Sequence, residues 1–178
     1  FQRIEQDKDK NETAAALYLI AITGFRPGSD RETFAKVKAF GVSTLIGSHI
    51  KVSGDKIDFN FIGKKGVHIT KLVKNAWLAN KLKNKKNNEK LFNTDDGEMR
   101  KYLRSIPYGQ KYTVKDFRTR LGTMVAISES KKLSKPESKS EFRRYRNTIG
   151  DKVAKVLGNT RQVSLGSCAT RPRHSRHD

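Results

Sequence analysis

The chain has 178 residues, one domain by default, and its 35% hydrophobic content is low but sufficient for a packed core. Lys and Arg number 38 against 18 Asp and Glu, a formal charge of +20 that departs from an ordinary soluble enzyme and implies a polyanionic partner. No apolar run approaches the roughly 18 residues of a membrane-spanning helix, so nucleic acid is favoured over a membrane surface.

The opening FQRIEQDKDKNE has no apolar core of a signal peptide and reads as a polar start, which gives an intracellular expectation. From Glu12 to Gly24, Ala15, Ala16, Leu19, Ile20 and Ile22 recur at helical spacing, and Gly24 suits a helix end. This buried helix leads into Gly24-Phe-Arg-Pro-Gly28. Period-two patterning over 49–53, 56–62 and 67–73, with Gly54-Asp55 and Gly63–Gly66 as turns, predicts a three-stranded antiparallel meander. A helix follows over 75–82, then a polar loop over 83–90. Further helices are expected at 97–106, 114–127, 140–157 and 161–167, with a mobile charged linker, SESKKLSKPESK, over 128–139. The expected fold is mainly α with a small three-stranded antiparallel β-sheet, an α+β domain over 1–168. Composition shifts from Lys to Arg near Cys168, and 169–178 reads as a disordered tail.

Cys168 is a single cysteine, which excludes an internal disulfide and a cysteine-based zinc site. His49, His68, His174 and His177 lack metal-ligand spacing. No metal and no cofactor is expected.

Most of the Lys and Arg side chains need only solubilise a surface, but four polar positions stand in apolar or turn contexts. Arg26 follows an apolar helix end, where a guanidinium is expensive unless it meets an anion. Lys64 stands at the hairpin tip. Arg118 flanks the helical face formed by Val114, Phe117 and Leu121, three residues from Lys115. Asn159 follows Gly158 at a helix terminus. Taken singly, each has a plain alternative as a salt-bridge arginine, a turn lysine or a helix-capping asparagine.

Their order and flanking residues are more specific. TGFRPGS, FGVSTLIGSHIKVSGDKIDFNFIGKKGV, LFNTDDG, YTVKDFRT and VAKVLGNT resemble type IB DNA topoisomerases from about Ala14 to Ser167. The resemblance implies the catalytic core of the DNA breaking-rejoining enzymes, with duplex DNA as partner and a monomer as the working form. By motif match, Arg26, Lys64, Arg118 and Asn159 take the places of the family's Arg, hairpin Lys, second Arg and His or Asn. Lys115 leads the Lys-x-x-Arg motif, and Lys65 and Arg120 are expected to contact DNA beside it. The family's amino-terminal domain is expected to be absent from this chain. Where the family places its tyrosine nucleophile, nine residues after the Asn, this chain has Cys168, and its five tyrosines all precede the LGNT motif.

The resemblance also implies the chemistry: transesterification through a 3′-phosphotyrosyl link, relaxing supercoils without ATP or metal. Two other readings compete. Tyrosine recombinases share the fold, but usually carry His-x-x-Arg where this chain has Lys115-Asp-Phe-Arg118, and they lack the FGVSTLIGSHIKV block. A non-catalytic DNA-binding paralogue or fragment is the third reading, supported by Cys168.

Overall fold

The structure is a computed structural model that describes residues 1–28 and 38–168, apart from the side chains of Ser167 and Cys168. The expectation for 169–178 concerns residues outside those described.

Helix α2 (Glu12–Thr23) is the centre of the fold. The side chain of Asn11 accepts from the Ala14 N–H at 3.0 Å and opens it. Ala14 to Ile20 are buried on every side of the helix, as befits a sequence without a polar face. Gly24 ends it at φ 71°, its N–H donating to the Ile20 carbonyl. A Cβ at Gly24 would stand 2.7 Å from a Leu157 methyl, so the glycine also permits a close approach between two helix ends.

A short helix, α1 (Gln2–Asp7), precedes it where the sequence reads only as a polar start. Its one buried residue, Ile4, is too little to register as a periodic pattern. A tertiary partner holds it: Tyr102 donates to Asp7 at 2.7 Å, on the carboxylate oxygen that also pairs with Arg3 within the helix.

Strands β1 (Ile50–Ser53), β2 (Lys56–Ile62) and β3 (His68–Lys74) form the expected antiparallel meander in the order β1-β2-β3. Its inner face buries Ile57, Phe59 and Phe61, against which Phe25 packs edge-on at 5.1 Å from both phenylalanine rings. The β2–β3 turn carries Lys65 at φ 64° beside Gly66 at φ 73°.

Helices α3 (Ala76–Leu82), α4 (Asp96–Ser105), α5 (Val114–Ser130), α6 (Lys139–Leu157) and α7 (Arg161–Cys168) follow. Asn75, Asp95, Thr113 and Ser138 stand at the N-termini of the first four. Asp95 and Glu98 form a reciprocal capping box, and Thr113 donates through N–H and hydroxyl to Asp116. The segment 128–139 differs from the sequence expectation at both ends. Ser128–Ser130 complete α5 and Lys139 opens α6. Between them, Ser134 bonds Tyr145 at 3.1 Å, and the Glu137 N–H donates to Glu141. Backbone turn bonds from Lys132 N–H to the Glu129 carbonyl and from Leu133 N–H to the Ser130 carbonyl continue the chain past α5.

Helix α7 lies against α6 and α5. Leu165 sits over Gly150, where a Cβ would come within 2.8 Å of it, and Arg161 forms two bonds to Asp151 at 2.5 and 2.7 Å.

Candidate active site

The end of α2, the β2–β3 hairpin, the second turn of α5 and the turn between α6 and α7 surround one depression. Arg26, Lys64, Arg118 and Asn159 all line it. Each arrives by a local rule. Gly24 stops α2 and turns the chain so that Arg26 follows at once, and the loop 38–45 holds that turn through bonds from Val42 N–H to the Arg26 carbonyl and from Ser43 N–H to the Pro27 carbonyl. The left-handed Lys65 and Gly66 bend the hairpin and leave Lys64 exposed at its tip. The buried face of α5 carries Val114 and Phe117, and Arg118 next to them is buried to 9% exposure. Gly158, left-handed at φ 61°, ends α6 and delivers Asn159.

Asn159 is the point of convergence. Its Oδ1 accepts from Arg118 Nη2 at 3.3 Å and faces Arg26 Nη2 at 3.5 Å. Two guanidiniums therefore point at a single oxygen. Arg118 also donates to the Leu157 carbonyl at 3.0 Å, tying α5 to the end of α6.

Lys71, which no sequence motif singled out, lies in the same depression. Its Nζ donates to the Thr23 carbonyl at 2.6 Å and the Val156 carbonyl at 2.8 Å. These are carbonyls of the last turns of α2 and α6, which lack helical partners and carry the negative ends of the helix dipoles. A signal was present in the strand pattern: Lys71 pairs with the buried Phe59 and alternates with Ile69 and Val73, so it interrupts an inward row.

The depression is electropositive. Its lining includes Lys65, His68 and Lys155 as well, and among the described residues no Asp or Glu. Burial, and then the neighbouring Arg26, push Arg118 down to about 10. Burial, and then Arg118, push Lys71 down to about 8. Such clustering without a counter-charge is what a site for an anion requires. Among the described residues, no group of three or more His, Cys, Asp or Glu could hold a metal ion.

The other expected DNA contacts fall differently. Lys65 lines the depression, whereas Lys115 and Arg120 on α5 do not. Arg120 lies over the Phe1 ring, 5.1 Å from its centroid. Position 120 is about half a helical turn from position 118, so the two arginines leave the helix on different sides. Cys168 is the last residue of α7, and its side chain is outside the described set.

The family described as "Eukaryotic DNA topoisomerase I, catalytic core" matches residues 2–173. The chain belongs to this topoisomerase I catalytic-core family. A "DNA topoisomerase 1B" from Acanthamoeba polyphaga mimivirus is 25% identical over 173 residues, covering 85% of this chain and 51% of the relative. The chain thus spans about half the length of that relative. Membership covers every element described above, from α1 to α7, and agrees with the mainly helical architecture carrying a three-stranded antiparallel sheet. It also separates the chain from the tyrosine recombinases named as the competing enzyme reading. No helix among the described residues is long and apolar enough to cross a membrane.

Proposed function

We propose that this chain binds duplex DNA and supplies the type IB transesterification site, breaking and rejoining one strand without ATP or metal. The observation that carries this reading is the convergence of Arg26 and Arg118 on the Asn159 amide oxygen, in a depression whose described lining is basic and holds no carboxylate. The amide oxygen occupies a position suited to a nonbridging oxygen of a phosphodiester. As a nucleophile adds to phosphorus, negative charge grows on those oxygens, and two guanidiniums bind it through planar, multiple N–H donors. Arg26 and Arg118 fill that role, and Asn159 adds a neutral hydrogen bond through its amide N–H.

Breaking the bond between phosphorus and the 5′-oxygen releases a strongly basic alkoxide, which needs a proton as it leaves. Lys64, at the exposed hairpin tip, is the donor in this reading. The strand's 3′ phosphate then stays linked to the protein, and attack by the 5′-hydroxyl reverses each step. Lys65 contributes a phosphate contact. Duplex DNA is the partner, and a monomer suffices because every residue invoked comes from one chain.

The nucleophile position is occupied by Cys168. A thiolate is a soft nucleophile towards phosphorus and a good leaving group from it, so strand cleavage by the unmodified chain is expected to be weak or absent. This favours, as a second reading, DNA binding without turnover. Relaxation of a supercoiled plasmid in EDTA by the unmodified chain and by Cys168→Tyr distinguishes the two. Relaxation by Cys168→Tyr alone supports the catalytic reading. Binding with no relaxation by either chain supports the second.

A further inference from the structure

Lys71 is a charged side chain on the inner face of a strand, opposite Phe59, with its ammonium 5.9 Å from the Phe25 ring centroid. Placing an ammonium there costs free energy unless its donors are used. Two of them are, on carbonyls from helices far apart in sequence: Thr23 at the end of α2 and Val156 in the last turn of α6. Three residues beyond each carbonyl stand Arg26 and Asn159, the pair whose side chains face one another at 3.5 Å.

We infer that Lys71 is a positioning residue: its ammonium clamps the ends of α2 and α6 together and so sets the placement of Arg26 against Asn159 around the bound anion. The inference rests on the anion-site reading above and extends it to a residue outside the family motifs. Gly24 makes the same clamp sterically possible, since only a missing Cβ lets Leu157 come so close to the end of α2. Ammonium and glycine therefore act on one junction.

Among the described residues, the titratable groups that line the depression with Lys71 are all basic: Arg118 from α5, Arg26 after α2, Lys64, Lys65 and His68 on the hairpin, and Lys155 on α6. Burial, and then the Arg118 charge, push the Lys71 ammonium down to about 8. A bound anion adds the missing negative charge and restores it. Clamp and anion are thereby coupled, each favouring the other.

The test uses the unmodified chain, Lys71→Met and Lys71→Arg, with sulfate as probe because its charge is constant across the titration. Carbon-13 resonances of Lys71 Cε, Arg26 Cζ and Asn159 Cγ are followed against pH, with and without sulfate. In the unmodified chain all three are expected to move with one midpoint near 8, which sulfate shifts upward. In Lys71→Met the Arg26 and Asn159 movements vanish and sulfate affinity at neutral pH falls about tenfold, the effect of roughly one pKa unit of lost interaction. Lys71→Arg, which retains charge and donors, keeps most of the affinity and shows no transition near 8. Arg26 and Asn159 resonances that ignore the Lys71 titration in the unmodified chain overturn the inference, as does full sulfate affinity in a folded Lys71→Met chain. If sulfate fails to bind the unmodified chain, the anion-site reading falls. The pH-coupled movement of Arg26 and Asn159 still decides the clamp.

Discussion

Arg118 and Asn159, 41 positions apart, are joined by a hydrogen bond of 3.3 Å from the arginine Nη2 to the amide oxygen. The same Nη2 holds the Leu157 carbonyl at 3.0 Å, so one buried guanidinium fixes both the helix end and the residue that follows it. In the Cys168→Tyr background, Arg118→Ala is expected to slow single-turnover strand cleavage by about 100-fold or more, the usual cost of losing one preorganised donor. Arg118→Lys should not restore the rate, because an ammonium lacks the planar array of N–H donors that binds phosphate oxygens in bidentate fashion. Cleavage by Arg118→Lys near the parent rate would mean that charge alone matters at this position.

Lys64 stands apart from the Arg118–Asn159 pair, exposed on the hairpin rather than buried. If it protonates the leaving 5′-oxygen, Lys64→Ala should lower cleavage of an ordinary phosphodiester by roughly 10²–10⁴. A duplex with sulfur in the 5′-bridging position leaves as a far less basic thiolate and should be cut by Lys64→Ala and its parent at similar rates. An equal defect on both substrates would place Lys64 in binding instead.

The docking of α7 depends on Gly150, over which Leu165 lies. Gly150→Leu should displace α7 while leaving the core around α2 intact. Hydrogen exchange is the direct readout: amides of 161–168 should lose protection, whereas those of α2 keep it. Unchanged protection of α7 would show that Arg161 and Asp151 suffice to hold it.

Lys71 also gives stability a pH signature. Its usual value of 10.5 is lowered to about 8 by burial and then by Arg118. Between those values the unfolded chain retains a proton that the folded chain has released, so stability rises with pH across the window. Below about 8 both forms are charged and the burial cost is present in full. Urea unfolding of the unmodified chain and Lys71→Met should therefore show a stability difference that moves in favour of the unmodified chain as pH rises through this range. A difference independent of pH would mean that Lys71 is not burdened by its surroundings.

The sequence made much of this legible because its local rules agree with one another. The period-two rows either side of Gly54 and Gly63 fix the meander, and the apolar run before Gly24 fixes α2. Arg26, Lys64, Arg118 and Asn159 could be chosen from apolar or turn contexts and from motif order, and all four reach one depression. Tertiary placement accounts for what escaped. Helix α1 is held by partners such as Tyr102 rather than by its own pattern. Lys71 owes its importance to two carbonyls contributed by distant helices, which a strand pattern does not reveal. The placement of Arg120 over the Phe1 ring is likewise tertiary, and the basic stretch around it does not specify it.

The most direct test of the proposed chemistry is covalent capture of one strand. Duplex DNA is incubated in EDTA with the unmodified chain, Cys168→Tyr, and Cys168→Tyr combined with Arg118→Ala, then quenched in detergent. The expected result is a detergent-stable adduct through the 3′ phosphate with Cys168→Tyr, strongly reduced by Arg118→Ala and weak or absent with the unmodified chain. Abundant adduct on Cys168 of the unmodified chain, or none with a folded Cys168→Tyr chain that binds the duplex, would contradict it.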